Sequence, residues 1–402
     1  MALTEEEFDL ALRQVEQLTA LYGKKSALVR AAQQFDHKRR AWKNKTKLFF
    51  RRLVKKPQPK PADRLKILVH VRGGIGDVCM TRMYIVKLRQ KFPTALIYFC
   101  YDNAPTVHMV FSDGYIDGYV PLKYDPLEYD LVMSGCHAFH FDHADVARLQ
   151  QLAPTWMADF QKAQQIQQKL LVVTQNTPHL DGIWAKISVA YGSTRIENLG
   201  LTTGVPVGQN DRTPIALDAD KLQQTLQKFE LQPGTYITIH DGTNTNTNLH
   251  GMPATRCWPR PHWETFARLF KEKYPHLKIV QLGGSNSTPF PFADVCLVNR
   301  TTVADLPYIL QGSCVHIDGE SGMAQLANLT DTRTVCLFGP TGIEYLGYSR
   351  NVNIRAGDCH NCMCIIPQWM NRCLLFDQNK CMYAITPESV LQGADTVLQS
   401  RA

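Results

Sequence analysis

Four short segments of this sequence set glycines, carboxylates and cations at spacings suited to holding an anion and activating a hydroxyl. The first, Val71-Arg72-Gly73-Gly74-Ile75-Gly76-Asp77-Val78, passes from an apolar run into a helical one. Gly73, Gly74 and Gly76 let backbone come close to a ligand, and the helix start offers free N–H groups to an anion. Asp77 at that start can take a proton from a hydroxyl, or simply cap the helix. With Asp102 after the next apolar run, Gly73-x-x-Gly76 also leaves open a nucleotide-binding reading of the dehydrogenase kind.

In the second segment, Arg256-Cys257-Trp258-Pro259-Arg260-Pro261-His262-Trp263, Pro261 opens a helix and Arg256 lies in the loop before it, within reach of a diphosphate. The third, Asp318-Gly319-Glu320-Ser321-Gly322-Met323-Ala324-Gln325-Leu326-Ala327, again reads as strand, loop and helix. Its amide-rich turn suits phosphate, and Glu320 could hold ribose or sugar hydroxyls. A tight turn capped by Ser321 is the plainer account of the same residues. Phe338-Gly339-Pro340-Thr341-Gly342 ends the following strand beside it.

Cysteine is the other conspicuous residue. Five of the twelve form Cys359-x2-Cys362-x-Cys364-x8-Cys373-x7-Cys381, soft ligands at spacings that suit tetrahedral zinc or an iron centre. The remaining seven are scattered, mostly in apolar stretches, as reduced core thiols are. His137, His140 and His143, after Cys136, read as surface or acceptor-side histidines, because no carboxylate pattern accompanies them.

The elements that must position these groups follow from the hydrophobic texture. Ile67–Val71, Leu96–Cys100, Leu131–Met133 and Leu170–Val173 are predicted strands of one sheet, with a helix from Val78 to Lys91. A polar passage from Gly204 to Pro214 leads to a boundary near residue 220, and the pattern restarts with Tyr236–His240, Lys278–Leu282, Cys314–Ile317 and Thr334–Phe338. Two doubly wound α/β halves in series, 61–220 and 221–402, would set a cleft between the carboxyl ends of their strands. Residues 1–60 differ: an amphipathic start is followed by basic residues around Trp42, Phe49 and Phe50 and closed by Pro57-Gln58-Pro59-Lys60-Pro61. Such a helical basic extension suits an anionic membrane surface or a solvated face packed on the body.

A length of 402 residues allows two ordinary domains. Membrane-spanning and secreted classes are not expected: no run approaches the roughly 18–20 apolar residues of a spanning helix, and Met1 leads into acidic residues. The net charge of +8 suits acidic partners, among them nucleic acid, anionic lipid and nucleotide-sugar phosphates.

Taken together and in order, the four segments resemble glycosyltransferase family 9, the bacterial lipopolysaccharide heptosyltransferases of the GT-B fold, over about residues 65–390. The resemblance implies two facing Rossmann-like domains, the N-terminal one for the acceptor and the C-terminal one for the nucleotide-sugar donor. It makes Asp77 the catalytic carboxylate and Gly73, Gly74 and Gly76 its acceptor-side loop. On the donor side it implies Thr243, Arg256, Gly283, Thr301, Glu320, Ser321, Gly322, Gln325 and Thr341. Glu320 and Gln325 stand where the family has Asp and His, which changes reach and charge, and Thr243–Asn248 lengthens a donor-side loop that is usually short.

By the same resemblance the expected reaction is an inverting, single-displacement transfer that requires no cofactor, in the cytoplasm. The implied donor is ADP-heptose, and the acceptor is the lipopolysaccharide core with a peripheral inner-membrane contact. The alternative is a Ser or Thr hydroxyl of a surface adhesin, since some relatives act on proteins and carry cysteine-bound metal. Zinc or iron at Cys359, Cys362, Cys373 and Cys381 would then be a structural staple. The non-enzymatic rival, a nucleic-acid-binding protein, explains neither the paired halves nor the glycine-bearing turns, and nucleic acid is not an expected partner.

Overall fold

The computed structural model describes residues 59–174, 181–242, 254–363, 369–371, 373 and 379–400. Most of the basic extension, the loop that carries Thr243, and Cys364 lie outside them. In chain order the strands are β1 (Lys66–Val71), β2 (Leu96–Cys100), β3 (Gly118–Val120), β4 (Leu131–Gly135), β5 (Phe139–Ala144), β6 (Tyr236–His240), β7 (Lys278–Leu282), β8 (Val295–Cys296), β9 (His316–Gly319), β10 (Thr334–Leu337) and β11 (Val352–Ile354). The α-helices are α1 (Ile75–Lys91), α2 (Ala104–Val110), α3 (Val146–Leu152), α4 (Met157–Thr174), α5 (Asp181–Ala190), α6 (Arg195–Leu201) and α7 (Ala219–Lys228). They continue with α8 (Arg260–Lys273), α9 (Leu306–Gly312), α10 (Gly322–Ala327), α11 (Ile343–Leu346), α12 (Lys380–Tyr383) and α13 (Pro387–Gln399).

These elements form two compact units. The first comprises the described chain up to Arg72, Tyr84–Ala104 and Gly114–Gly208; the second comprises Gly73–Met83, Pro105–Asp113 and the chain from Gln209 onward. The opening turns of α1, with Asp77, therefore belong to the second unit. Buried Arg82 is what holds them there: its guanidinium donates to the carbonyls of Val110 (2.7 Å), Thr213 (2.7 Å) and Pro214 (2.8 Å) and pairs with Asp113. A charge removed from water this way is tolerated because every direction of the fork meets an acceptor.

In the first unit the sheet order is β3-β2-β1-β4-β5, parallel except for the antiparallel edge strand β5. In the second it is β11-β10-β9-β6-β7-β8, parallel throughout. The central strands have the composition this demands: Lys66-Ile-Leu-Val-His-Val and Tyr236-Ile-Thr-Ile-His are buried almost residue for residue, as strands covered on both faces must be. In the second unit Trp263, Phe266 and Phe270 of α8 pack with Ile237 and Ile239 of β6, Val335 and Leu337 of β10, and Val390, Ala394 and Val397 of α13. The chain runs outward from β6 through β7 to β8 on one side, then crosses to β9 beside β6 and runs outward through β10 to β11 on the other. The ends of β6 and β9 are thus the topological switch point, where open α/β sheets bind ligands.

Three expectations are corrected. Leu170–Val173 is not a strand but the end of α4; Phe160, Ala163, Gln167 and Leu170 are buried at helical spacing, and a four-residue apolar run cannot reveal which period it belongs to. The strand expected at Cys314–Ile317 runs His316–Gly319, so it carries Asp318 and Gly319 into the sheet and the turn starts at Glu320. Helix α1 begins at Ile75 and not Val78, because Asp77 and Val78 already donate backbone hydrogen bonds to the Gly74 carbonyl.

Among the described residues the cysteines are free thiols, and Cys79, Cys100, Cys257, Cys314 and Cys336 are buried as core thiols should be. Burial raises the Cys257 thiol to about 12 and Cys336 well above its ordinary value. No helix among the described residues is long and apolar enough to cross a membrane.

Candidate functional site

The second unit gathers its polar side chains at the switch point. After β9, Ser321 caps α10: its hydroxyl oxygen accepts from the Met323 N–H at 3.1 Å while its proton goes to Asp318. Glu320 is fixed in the sheet by its own N–H, which donates to the Leu337 carbonyl of β10 at 3.0 Å. Beneath the turn lies a buried polar line. His240 Nδ1 stands 3.0 Å from the Asp318 carboxylate, His316 Nε2 stands 3.4 Å from it, and Thr238 Oγ1 lies 3.1 Å from His316 Nδ1. Burial by itself would raise the Asp318 carboxyl, but the charge and hydrogen bond of His240 and the bond from His316 outweigh it and hold the group at about 2. Burial would likewise lower His240, and the charge and hydrogen bond of Asp318 reverse this into a net raise. The turn is therefore mounted on a buried carboxylate held between two imidazoles.

Arg256 reaches the same turn from the loop before α8. Its Nη1 donates to the Glu320 carbonyl at 3.0 Å and to Glu320 Oε2 at 3.2 Å, and its guanidinium lies over the Trp369 ring, 5.8 Å from the centroid. Its buried Nε has no hydrogen-bond partner among the described residues. A guanidinium with an unused donor beside a helix start is equipped to take an anion. Gly319 makes the approach possible, since a Cβ there would meet the Arg256 carbonyl oxygen at 2.8 Å.

Helix α1 meets α10 glycine on glycine within this unit. A Cβ on Gly76 would lie 2.9 Å from the Gly322 Cα, and one on Gly322 would lie 2.5 Å from Ile75 Cγ2. This close approach brings the Asp77 turn to the turn that carries Glu320 and Ser321. Asp77 itself lies back across its loop: Oδ2 accepts from the Gly74 N–H at 2.5 Å, and a Cβ on Gly73 would fall 2.0 Å from that oxygen. The carboxylate thus reaches the N-cap backbone from the N3 position, half of a capping box. Both readings of Asp77, cap and base, meet at one oxygen pair.

Gln325 is nearly buried on α10, with Oε1 accepting from the Tyr348 hydroxyl at 2.6 Å and Nε2 donating to Glu320 Oε1 at 3.4 Å. Thr341 is buried in the turn after β10, and its hydroxyl has no partner among the described residues. Gly283 follows β7 and its carbonyl accepts from the Asn299 N–H, while Thr301 lies between β8 and α9. Thr243 falls outside the described residues.

Cys359, Cys362, Cys373 and Cys381 line one cavity of about 240 Å³, together with Thr255 and Trp369. Burial, and then the nearness of Cys359 and Cys362, push the Cys381 thiol up to about 12. No group of three or more ligating side chains among the described residues stands in metal-binding geometry. The four thiols suit a soft cation in kind and share one cavity, but they do not stand at ligating distances from a common point. The cavity abuts the Arg256 loop, because Thr255 donates to the Trp369 carbonyl at 2.7 Å and, through its N–H, to the Met370 carbonyl at 2.8 Å.

Sequence reading gave no role to His240, His316, Asp318 or Tyr348, although Asp318 opens the third segment. A signal for three of them was present: Thr238 and His240, and His316 and Asp318, alternate at period two in otherwise apolar strands, which places each pair on one face. Tyr348 had none, since the loop that carries it shows no motif. His140 and His143 lie on the edge strand β5, in the first unit.

No family model and no curated relative matches the sequence. Solved structures do. The iron-containing dodecameric glycosyltransferase TibC from enterotoxigenic E. coli H10407 is similar over 86% of this chain and 79% of its own, with a TM-score of 0.55 and 13% identity. TibC in complex with ADP-D-beta-D-heptose is similar over 86% of this chain and 78% of its own, with a TM-score of 0.53 and 12% identity. A family 9 glycosyltransferase from Veillonella parvula DSM 2008 is similar over 85% of this chain and 100% of its own, with a TM-score of 0.50 and 15% identity. The chain has the fold of these glycosyltransferases. At such identities the likeness carries the architecture, and the roles of residues rest on this chain's own geometry.

Proposed function

We propose that this chain is a glycosyltransferase that moves a sugar from a nucleotide-diphosphate donor to an acceptor hydroxyl. The observation that carries the reading is the gathering of Arg256, Glu320, Ser321 and the Asp77 helix start at the switch point of the second unit. Asp77 takes the acceptor proton as the acceptor oxygen forms its bond to the anomeric carbon. The bond from that carbon to the diphosphate breaks with its electron pair, and Arg256 and the amides after Ser321 stabilise the charge that develops there. No other group is asked to take part in the displacement.

The donor in this reading is ADP-heptose, supported by the family resemblance of the four segments and by the ADP-D-beta-D-heptose bound to TibC. A thermal-shift screen of nucleotide-sugars tests it, since a true donor stabilises the folded state by mass action. The reading fails if ADP-heptose gives no shift and no transfer. For the acceptor, the lipopolysaccharide core is the first candidate, with the basic extension 1–60 docking on the inner membrane from the cytoplasm. Loss of binding to anionic vesicles on deletion of residues 1–56 tests that docking, and unchanged binding removes it. Convergence of four cysteines on one cavity favours a second reading, a protein hydroxyl as acceptor, and transfer assays with each acceptor class separate the two. Zinc or iron held by Cys359, Cys362, Cys373 and Cys381 would supply a cross-link that steadies Trp369 and the Arg256 loop.

A further inference from the structure

We propose that Tyr348 is a positioning residue for the donor site, acting through Gln325 and Glu320 on the Arg256 guanidinium. This rests on the reading of Arg256 as the diphosphate contact. The four side chains form one hydrogen-bonded line in the second unit. The Tyr348 hydroxyl donates to Gln325 Oε1 at 2.6 Å, Gln325 Nε2 donates to Glu320 Oε1 at 3.4 Å, and Arg256 Nη1 donates to Glu320 Oε2 at 3.2 Å.

The polarity of the line is forced by its ends. A carboxylate can only accept, so Gln325 must turn its amide nitrogen toward Glu320, which leaves its oxygen for the phenol. Without the phenol the amide oxygen loses its anchor, and only the 3.4 Å bond to Glu320 is left to hold the side chain in place. Glu320 would then lose the partner that holds one oxygen while Arg256 holds the other. Tyr348 is itself well anchored, since its carbonyl accepts from the Asn351 N–H at 3.1 Å and from Asn353 Nδ2 at 3.0 Å. The line therefore runs from a fixed backbone, through a side chain close-packed on the Gly76 turn, to the cation: a Cβ on Gly76 would lie 3.2 Å from Gln325 Cγ. Gln325→Leu breaks the line at its middle, since a leucine side chain neither donates nor accepts.

The experiment is a double-mutant cycle on the full chain, read by calorimetric binding of ADP, with melting temperature recorded alongside. Tyr348→Phe is expected to weaken ADP binding about 3- to 10-fold, the worth of one net hydrogen bond. In the Arg256→Ala background the same change should cost less than about twofold, because the group it positions is gone. Gln325→Leu should resemble Tyr348→Phe. A hydroxyl that merely completes the core would lower melting and cost the same affinity in both backgrounds, and that result, or unchanged binding by Tyr348→Phe, overturns the inference while leaving the glycosyltransferase reading intact. Failure of the parent protein to bind ADP at all overturns the inference together with ADP-heptose as the donor.

Discussion

Replacing Asp77 by Asn separates the two roles that meet at its carboxylate. As a cap, Asp77 accepts from the Gly74 N–H at 2.5 Å. Asn keeps an oxygen in the same place, so the bond survives but loses its charge. A charged acceptor is worth roughly 1 kcal/mol more than a neutral one, and negative charge at the helix start adds about 0.3–1 kcal/mol. The expected stability loss is therefore about 1–2 kcal/mol, or a melting shift on the order of 2–8 °C for a unit of this size. That is well inside the roughly 5–15 kcal/mol of an ordinary domain. As a base, Asp77 should be worth about 10²- to 10⁴-fold in rate, which at 1.36 kcal/mol per decade is about 2.7–5.4 kcal/mol of activation energy. The two ranges do not overlap, so one variant decides. Nucleoside diphosphate release with a soluble acceptor gives the rate, and calorimetry gives donor binding, which should survive. Asp77→Ala should lose the same rate and further stability. Turnover above about a tenth of the parent value for Asp77→Asn would refute the base and leave Asp77 as a cap.

Arg256→Ala should weaken nucleoside diphosphate binding about 10- to 100-fold and also lower kcat, because the guanidinium meets the diphosphate before and during departure; unchanged affinity by calorimetry would remove Arg256 from the donor site. Asp318 is held at about 2, below its ordinary 3.8, so its stabilising contribution is complete above pH 3.8 and is lost as pH falls toward 2. His240 is raised above 6.5, so its share is full below that value and fades as pH rises through the raised one. Asp318→Asn should flatten both limbs in urea unfolding across pH, and a variant with the parent pH profile would contradict the pairing. Metal analysis should find about one equivalent of zinc or iron tied to Cys359, Cys362, Cys373 and Cys381, lost in their Ser variants; under about a tenth of an equivalent ends that reading.

The sequence by itself determined the α/β texture, most strand positions and the order of the glycine-bearing turns. Each is local: an apolar run of strand length, a glycine where backbone must approach, a helix start after it. It also singled out Arg256, Glu320 and Ser321, because a cation before Trp-Pro and a capped turn after a strand are readable one segment at a time. It misread Leu170–Val173, where a short apolar run has no period of its own and only packing of Phe160, Ala163 and Gln167 reveals the helix. Tertiary structure alone decided that the Asp77 turn lies with the second unit, through the grip of Arg82 on Thr213 and Pro214 and the glycine contact between Gly76 and Gly322. It alone joined Tyr348 to Gln325 and His240 to Asp318, pairs 23 and 78 residues apart. Such contacts form because sheet order brings distant strand ends together, and no local spacing records that order.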